Sequence, residues 1–170
     1  MNVLEAIRSK RAVRAYLDVP LEDDVVRSIL SAGRRAQSSK NTQPWHFIAI
    51  RDAPTLSALA ATSENINFFA GTALTVAIVT THPSVKETIL FDAGQAAANM
   101  QLAAWELGVV SCLGTVYELE KARAVLGFPE DKHLHIAVGF GYPLAADAKP
   151  RPGSLGGRRS ADDVVHWDKW

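Results

Sequence analysis

Ser38-Ser39-Lys40-Asn41-Thr42-Gln43-Pro44-Trp45 sets six consecutive hydrogen-bonding side chains against a proline and a tryptophan, then runs through His46 into the apolar Phe47-Ile48-Ala49-Ile50. Pro44 removes a backbone donor and fixes its own φ, which stiffens the exit of a polar loop. The residues after it read as a strand from Trp45 to Ile50. Hydroxyls, amides and an ammonium on one short loop suit a phosphate together with the edge of a planar heterocycle, because each amide both donates and accepts. Six polar side chains in a row exceed what a helix-to-strand turn requires. Trp45 reads as a core anchor beside that loop.

Helices and strands alternate on either side of it. Upstream, Val3, Leu4 and Ile7 mark a short amphipathic helix, followed by the basic cluster Lys10, Arg11 and Arg14. Val25, Val26, Ile29, Leu30 and Ala36 recur at helical spacing behind the acidic first turn Glu22-Asp23-Asp24, with Gly33 weakening the last turn. Downstream, Pro54 opens a short helix and Leu74 to Thr80 reads as a second strand. Residues 65 to 85 carry no charge. Their asparagines, threonines and Pro83 argue for a buried strand rather than a membrane span.

The longest helical pattern covers 84 to 107, striped by Val85, Ile89, Ala93, Ala96, Met100, Ala103 and Leu107, with Gly108 at its C′ position. Small residues on its other faces predict a helix buried nearly all round or against another subunit. Asp92 and Asn99 share one face and read as interface hydrogen-bonding groups. Val109 to Leu113 and Leu134 to Phe140 predict two further strands, separated by a helix over 118–126 that Gly127 ends. From Ala145 the chain turns to Pro, Gly and Arg158-Arg159, then Val164-Val165-His166-Trp167, which predicts an extended arm packing on a partner chain.

The chain has 170 residues, 48% apolar and 21% charged, which fits one domain spanning 1–170 with a proper core. Lys plus Arg equals Asp plus Glu at 18 each, so no global field recruits nucleic acid or a membrane surface. The single Cys112 excludes an intrachain disulfide, reads as an inert core thiol and suggests a reducing, cytoplasmic setting. The N-terminus lacks the apolar run of a secretory signal. His46, His82, His133, His135 and His166 are dispersed and make no metal motif. No catalytic triad or paired catalytic carboxylates stand out.

Five segments together resemble the nitroreductase family. They are Lys10-Arg11-Ala12-Val13-Arg14-Ala15-Tyr16, the 38–45 loop, Asp92-Ala93-Gly94-Gln95-Ala96-Ala97-Ala98-Asn99-Met100, Leu113-Gly114-Thr115, and Gly139-Phe140-Gly141-Tyr142-Pro143 followed by Arg158-Arg159. Their order and spacing match over almost the whole chain. The resemblance implies an α+β, three-layer fold with a mostly antiparallel central sheet flanked by helices. It also implies an intertwined homodimer with FMN at the interface.

Carried over by position, Lys10, Arg11 and Arg14 hold the FMN phosphate and ribityl chain, and Arg159, alone or with Arg158, reaches the same phosphate from the arm. Ser38, Ser39, Asn41 and Gln43 contact the flavin across the dimer, and Asn67 falls where the family touches it from a third segment. Leu113, Gly114 and Thr115 run beside the ring. Ala12 stands where the family has a serine, and Lys10 replaces an arginine, keeping the charge but losing the planar fork. The chain is short for the family, which implies an open pocket.

The activity so implied is hydride transfer from NAD(P)H through FMN N5 to a small acceptor such as a nitroaromatic, quinone or activated alkene. With no GxGxxG for a separate nucleotide site, donor and acceptor share the ring and the kinetics are ping-pong. Two alternatives stay open. One is another FMN chemistry of the family (dehydrogenation, dehalogenation or flavin fragmentation). The other is a non-enzymatic, flavin-binding sensory dimer.

Overall fold

The computed structural model describes residues 2–144 and 158–170. Four strands form one sheet in the order β1-β2-β4-β3, with β1 at Trp45–Ile50, β2 at Leu74–Thr81, β3 at Val110–Thr115 and β4 at Lys132–Gly141. All three pairings are antiparallel. β2 is buried from Leu74 through Thr80 because helices cover both faces. On one face α2 (Asp23–Arg34) and α4 (Thr88–Glu106) bury Val26, Ile29, Ala96 and Met100 against Val76, Ile78, Val138 and Phe140. On the other, α3 (Ala53–Ala60), α5 (Leu119–Leu126) and a 3-10 segment at Glu64–Gly71 bury Leu56, Leu59, Phe69 and Ala122 against Ala77, Val79 and Ala137. The result is the expected three-layer α+β arrangement. α1, Val3–Ser9, lies outside the sheet and opens with a capping box between Asn2 and Glu5.

Local chemistry accounts for most element ends. Asp52 accepts the Thr55 N–H at 2.9 Å and starts α3. Gly108 and Gly127 take φ of 74° and 70° at the ends of α4 and α5, a conformation glycine adopts at no steric cost. Gly33 stays inside α2 because the Met100 side chain fills the space of its missing Cβ, with atoms 2.8 Å from where one would stand. Trp45 is a buried anchor, and so is Cys112, whose thiol is pushed up by that burial.

Three expectations are corrected. The 84–107 helix begins only at Thr88, because a separate 3-10 turn at Pro83–Val85 is closed by the His82 ring accepting the Ser84 N–H, and Lys86 is extended. Val85 and Leu107 therefore leave the apolar stripe and are exposed. The uncharged stretch from 65 is strand only from Leu74; before it, Glu64–Gly71 is 3-10 helix that buries Ile66 and Phe69. β3 runs two residues past Leu113, so Gly114 and Thr115 belong to the strand. Residues 145–157 of the expected arm lie outside the described residues. Residues 158–170 leave Val164, Val165, Trp167 and Trp170 exposed. Among the described residues no helix is long and apolar enough to cross a membrane.

Candidate cofactor site

The basic segment is pinned to the free edge of β3. Val13 N–H donates to the Ser111 carbonyl at 3.1 Å, Ala12 bridges Ser111, and Leu17 N–H donates to the Tyr142 carbonyl at 2.8 Å. Tyr16 locks the turn: its hydroxyl donates to the Val13 carbonyl at 2.6 Å, and its ring occupies the space where a Cβ on Gly141 would stand. Burial pushes the Tyr16 phenol far up, so it stays protonated. Extended backbone sends the exposed Ala12 and Arg14 away from the buried Val13.

The cations of this segment do different things. Arg14 lies over the Phe68 ring, 5.7 Å from its centroid. Arg11 spends Nη1 on the carbonyls of Arg8 and Lys10, at 2.7 and 2.9 Å, closing the end of α1. Lys10 is half-buried, and burial first, then the charge of Arg158, holds its ammonium below the usual range. Of the two C-terminal arginines, Arg158 carries a charge that Lys10 senses, while Arg159 donates to the Asp163 carbonyl at 2.6 Å. Like charges brought together at the edge of a sheet are stabilised by an anion that accepts charge-assisted hydrogen bonds from both. A phosphate dianion has that chemistry.

β3 adds a wall. Gly114 faces inward, where a Cβ would meet Ile66 Cγ2 at 2.6 Å and Phe69 Cζ at 2.9 Å. Leu113, 37% exposed, faces the other way and lines a cavity of about 450 Å³ with Ile78, Thr80, Phe91 and His135. The Thr115 carbonyl is taken by Asn65, whose Nδ2 donates at 2.7 Å, while Asn67 is exposed on the same 3-10 segment. Asn65 and Phe68, which hold the Thr115 carbonyl and the Arg14 guanidinium, are residues the sequence did not single out. The run of two asparagines around Ile66 was the available signal.

The 38–43 loop is built differently. Lys40, Asn41 and Gln43 take φ of 54°, 55° and 46°, the left-handed region that costs a non-glycine residue of order 1 kcal/mol or more each. Ser38 offsets part of that, its carbonyl accepting the Asn41 N–H and its hydroxyl the Gln43 N–H, both at 2.9 Å. Two residues 47 and 53 positions away hold Ser39: Lys86 Nζ donates to its hydroxyl at 2.7 Å and Asp92 Oδ1 accepts its N–H at 3.1 Å. The side chains of Lys40, Asn41, Thr42 and Gln43 stay exposed, an array of donors and acceptors on a backbone held away from its preferred conformation. Asn99, one face with Asp92, donates to the Ala32 carbonyl across the α2–α4 contact.

These two parts do not meet within one chain. The loop feeds the β1 edge of the sheet, and the basic segment sits on the β3 edge. At about 4.8 Å per strand, β1 and the bridged Ala12 are roughly 19 Å apart across the sheet. Along it, Trp45 is level with Thr80, whereas Ser111 is level with Phe140 and Leu74, a further six residues or about 20 Å away. The two halves of the expected site occupy diagonal corners.

The histidines are less dispersed than the sequence suggests. His82 and His133 rings lie 5.0 Å apart, His133 and His135 6.1 Å, and His133 Nδ1 is buried without a hydrogen-bond partner. Among the described residues, however, no group of His, Cys, Asp or Glu is arranged to hold a metal ion.

The chain is thus a three-layer α+β domain with a cationic edge at one corner and a strained amide loop at the other. The nitroreductase family profile matches residues 7–142. A protein of Archaeoglobus fulgidus, provisionally named NADH dehydrogenase/NAD(P)H nitroreductase, is 31% identical over 98% of each chain. The NADH dehydrogenase of Thermus thermophilus is 27% identical over 84% of this chain and 87% of its own. The solved structure of an FMN-dependent nitroreductase from Clostridium difficile R20291 superposes with a TM-score of 0.85 at 24% identity, covering 99% of this chain and all of that one. The chain belongs to the nitroreductase family.

Proposed function

We propose that this member of the family is an FMN-dependent oxidoreductase working as a homodimer, with each FMN held between the β3 edge of one chain and the 38–43 loop of the other. The observation that carries the reading is the diagonal separation of the two cofactor-type corners. Neither corner is a complete site, and a two-fold pairing brings corner to corner twice. Exposed apolar side chains supply the surface for pairing: Val3, Leu4 and Ile7 on α1, Phe91 on α4, and Trp167 and Trp170 near the C-terminus.

The residues present fit FMN. Lys10, Arg14 and Arg158 would meet the phosphate; Arg11 and Arg159, engaged with carbonyls, would join by giving those up. Ser39, Asn41 and Gln43 of the facing chain would offer hydroxyl and amide groups to the ribityl chain and the pyrimidine edge. Leu113 and Thr115 would flank the ring, with Gly114 holding β3 close to the core, and the exposed Asn67 would reach in from the 3-10 segment. Bound there, FMN supplies the hydride chemistry, and the protein supplies position and charge.

The names of the relatives support a reduced nicotinamide as donor. With no separate dinucleotide motif, NAD(P)H and a small acceptor would take turns at one open face, giving ping-pong kinetics. The purified protein is expected to be yellow, or to become so on FMN titration, and to bleach under anaerobic NADH or NADPH with steady turnover of a quinone or nitroaromatic. A colourless protein that takes up no FMN overturns the cofactor assignment. A yellow protein that neither nucleotide bleaches overturns the donor.

A further inference from the structure

Asp92 is buried to 3% exposure in the second turn of α4, on a face otherwise made of Ile89, Ala93, Ala96 and Met100. One carboxylate oxygen, Oδ1, accepts the Ser39 N–H; the other, Oδ2, is buried with no hydrogen-bond partner. Thr88, one turn earlier on the same face, likewise buries Oγ1 unpartnered. A buried carboxylate with an unsatisfied oxygen destabilises a fold, and an alanine or leucine would serve the α2–α4 packing better. What Asp92 does is reach the loop. Ser39 is the residue just before the left-handed Lys40 and Asn41, and Lys86 holds its hydroxyl from the other side. Strained backbone persists only where its surroundings over-determine it.

We propose that Asp92, with Lys86, is a positioning residue that clamps Ser39 from both its N–H and its hydroxyl, so that the 38–43 loop presents Asn41 and Gln43 to FMN in a preset conformation. The inference rests on the reading that this loop contacts FMN. It follows that the clamp costs fold stability and contributes ligand affinity. Asp92→Ala removes both the tie and the orphaned oxygen. Asp92→Asn keeps an oxygen able to accept the Ser39 N–H.

The test uses the full-length protein stripped of flavin. Asp92→Ala is expected to bind FMN about tenfold more weakly by flavin fluorescence titration, the worth of one lost hydrogen bond. Asp92→Asn stays within about threefold of wild type, the error range of such contributions. Lys86→Met weakens binding in the same direction. Hydrogen exchange read without FMN should show the Ser39 amide losing protection in Asp92→Ala while β2 and β4 amides keep theirs, with a melting temperature equal to or above wild type. Equal FMN affinity, an unchanged Ser39 amide, protection lost throughout the sheet, or no rescue by asparagine each overturns the clamp. If wild type itself binds no FMN, the reading of the site fails and the clamp with it; if only Asp92→Ala binds as well as wild type, the clamp alone fails.

Discussion

Gly114→Ala separates two reasons for a glycine beside a cofactor. One is close approach of the ring; the other is packing behind the strand. A methyl group at Gly114 would stand 2.6 Å from Ile66 Cγ2 and 2.9 Å from Phe69 Cζ, against a preferred carbon–carbon separation of about 3.5–4.0 Å. Neither neighbour has room to retreat: both are fully buried, and Phe69 also lies 3.1 Å from the position of a Cβ on Gly139. Relief therefore requires β3 or the 64–71 segment to move, and overpacking of this kind costs about 1–3 kcal/mol. For a chain of this size that is a fall in melting temperature of about 3–10 °C. Gly33→Ala is the control. The three atoms nearest its methyl all belong to Met100, at 2.8–3.0 Å, which is also fully buried but is unbranched and has more rotatable bonds than Ile66 or Phe69. Helix propensity returns up to about 1 kcal/mol, so the net change should lie within about 1 kcal/mol of zero. The assay is thermal and urea unfolding of flavin-free protein at one fixed concentration, since association shifts apparent stability. Flavin-free Gly114→Ala melting with wild type while losing FMN affinity would refute the packing argument in favour of ring approach. A larger loss in Gly33→Ala than in Gly114→Ala would refute it as well.

Arg14→Ala should weaken FMN binding by at least about tenfold, since a charge-assisted hydrogen bond contributes about 1.5–3 kcal/mol; unchanged affinity in a fluorescence titration would show the phosphate lies elsewhere. Cys112, buried and with its thiol pushed up by that burial, should resist Ellman's reagent at neutral pH in the native state and react fully in guanidinium; rapid native labelling would contradict the packing of β3. His133 is held below the usual histidine range by burial first and then by the charges of His82, His135 and Arg123. The unfolded chain then binds more protons there than the folded one, so this group's contribution is full above pH 7 and is lost as pH falls through the ordinary histidine range. The urea midpoint should drop on going from pH 7.5 to 5.5, and His133→Gln should flatten part of that drop; an identical slope in the variant would remove His133 from the account.

Much of the fold was legible because its signals are local. Pro44 and the apolar run after it mark β1, and the left-handed glycines Gly108 and Gly127 stand two residues and one residue past the ends of α4 and α5. The Glu64–Gly71 segment was not legible, since a 3-10 helix repeats every three residues and follows neither the helical nor the strand period. For the same reason nothing in the sequence told Asn65, which holds β3, from Asn67, which does not. The late start of α4 follows from the His82-capped turn at Pro83–Val85, which the apolar spacing of Val85 and Ile89 masked, and Lys86 just after it reaches a serine 47 residues earlier. The motifs themselves were readable as chemistry. Their placement at opposite corners was not, because strand order, rather than any residue's preference, sets it.

Several of the places where this chain breaks local rules lie at those two corners. At one, Lys40, Asn41 and Gln43 hold unfavourable φ while Asp92, which ties Ser39, buries an unpaired oxygen; at the other, burial holds the Lys10 ammonium below its usual range. Sequences retain such conflicts where function sets the requirement. If FMN is held between two chains, as proposed above, cofactor binding and self-association are one equilibrium. By linkage, FMN should tighten the dimer by the same factor that pairing tightens FMN. Flavin retention should therefore fall on dilution, and sedimentation velocity should show the flavin-free protein dissociating at higher concentration than the loaded one. A variant on the exposed apolar face of α1, such as Leu4→Glu, should weaken FMN retention although Leu4 is outside the proposed cofactor contacts. A monomer that keeps FMN with undiminished affinity would place the whole site on one chain, which the strand order argues against.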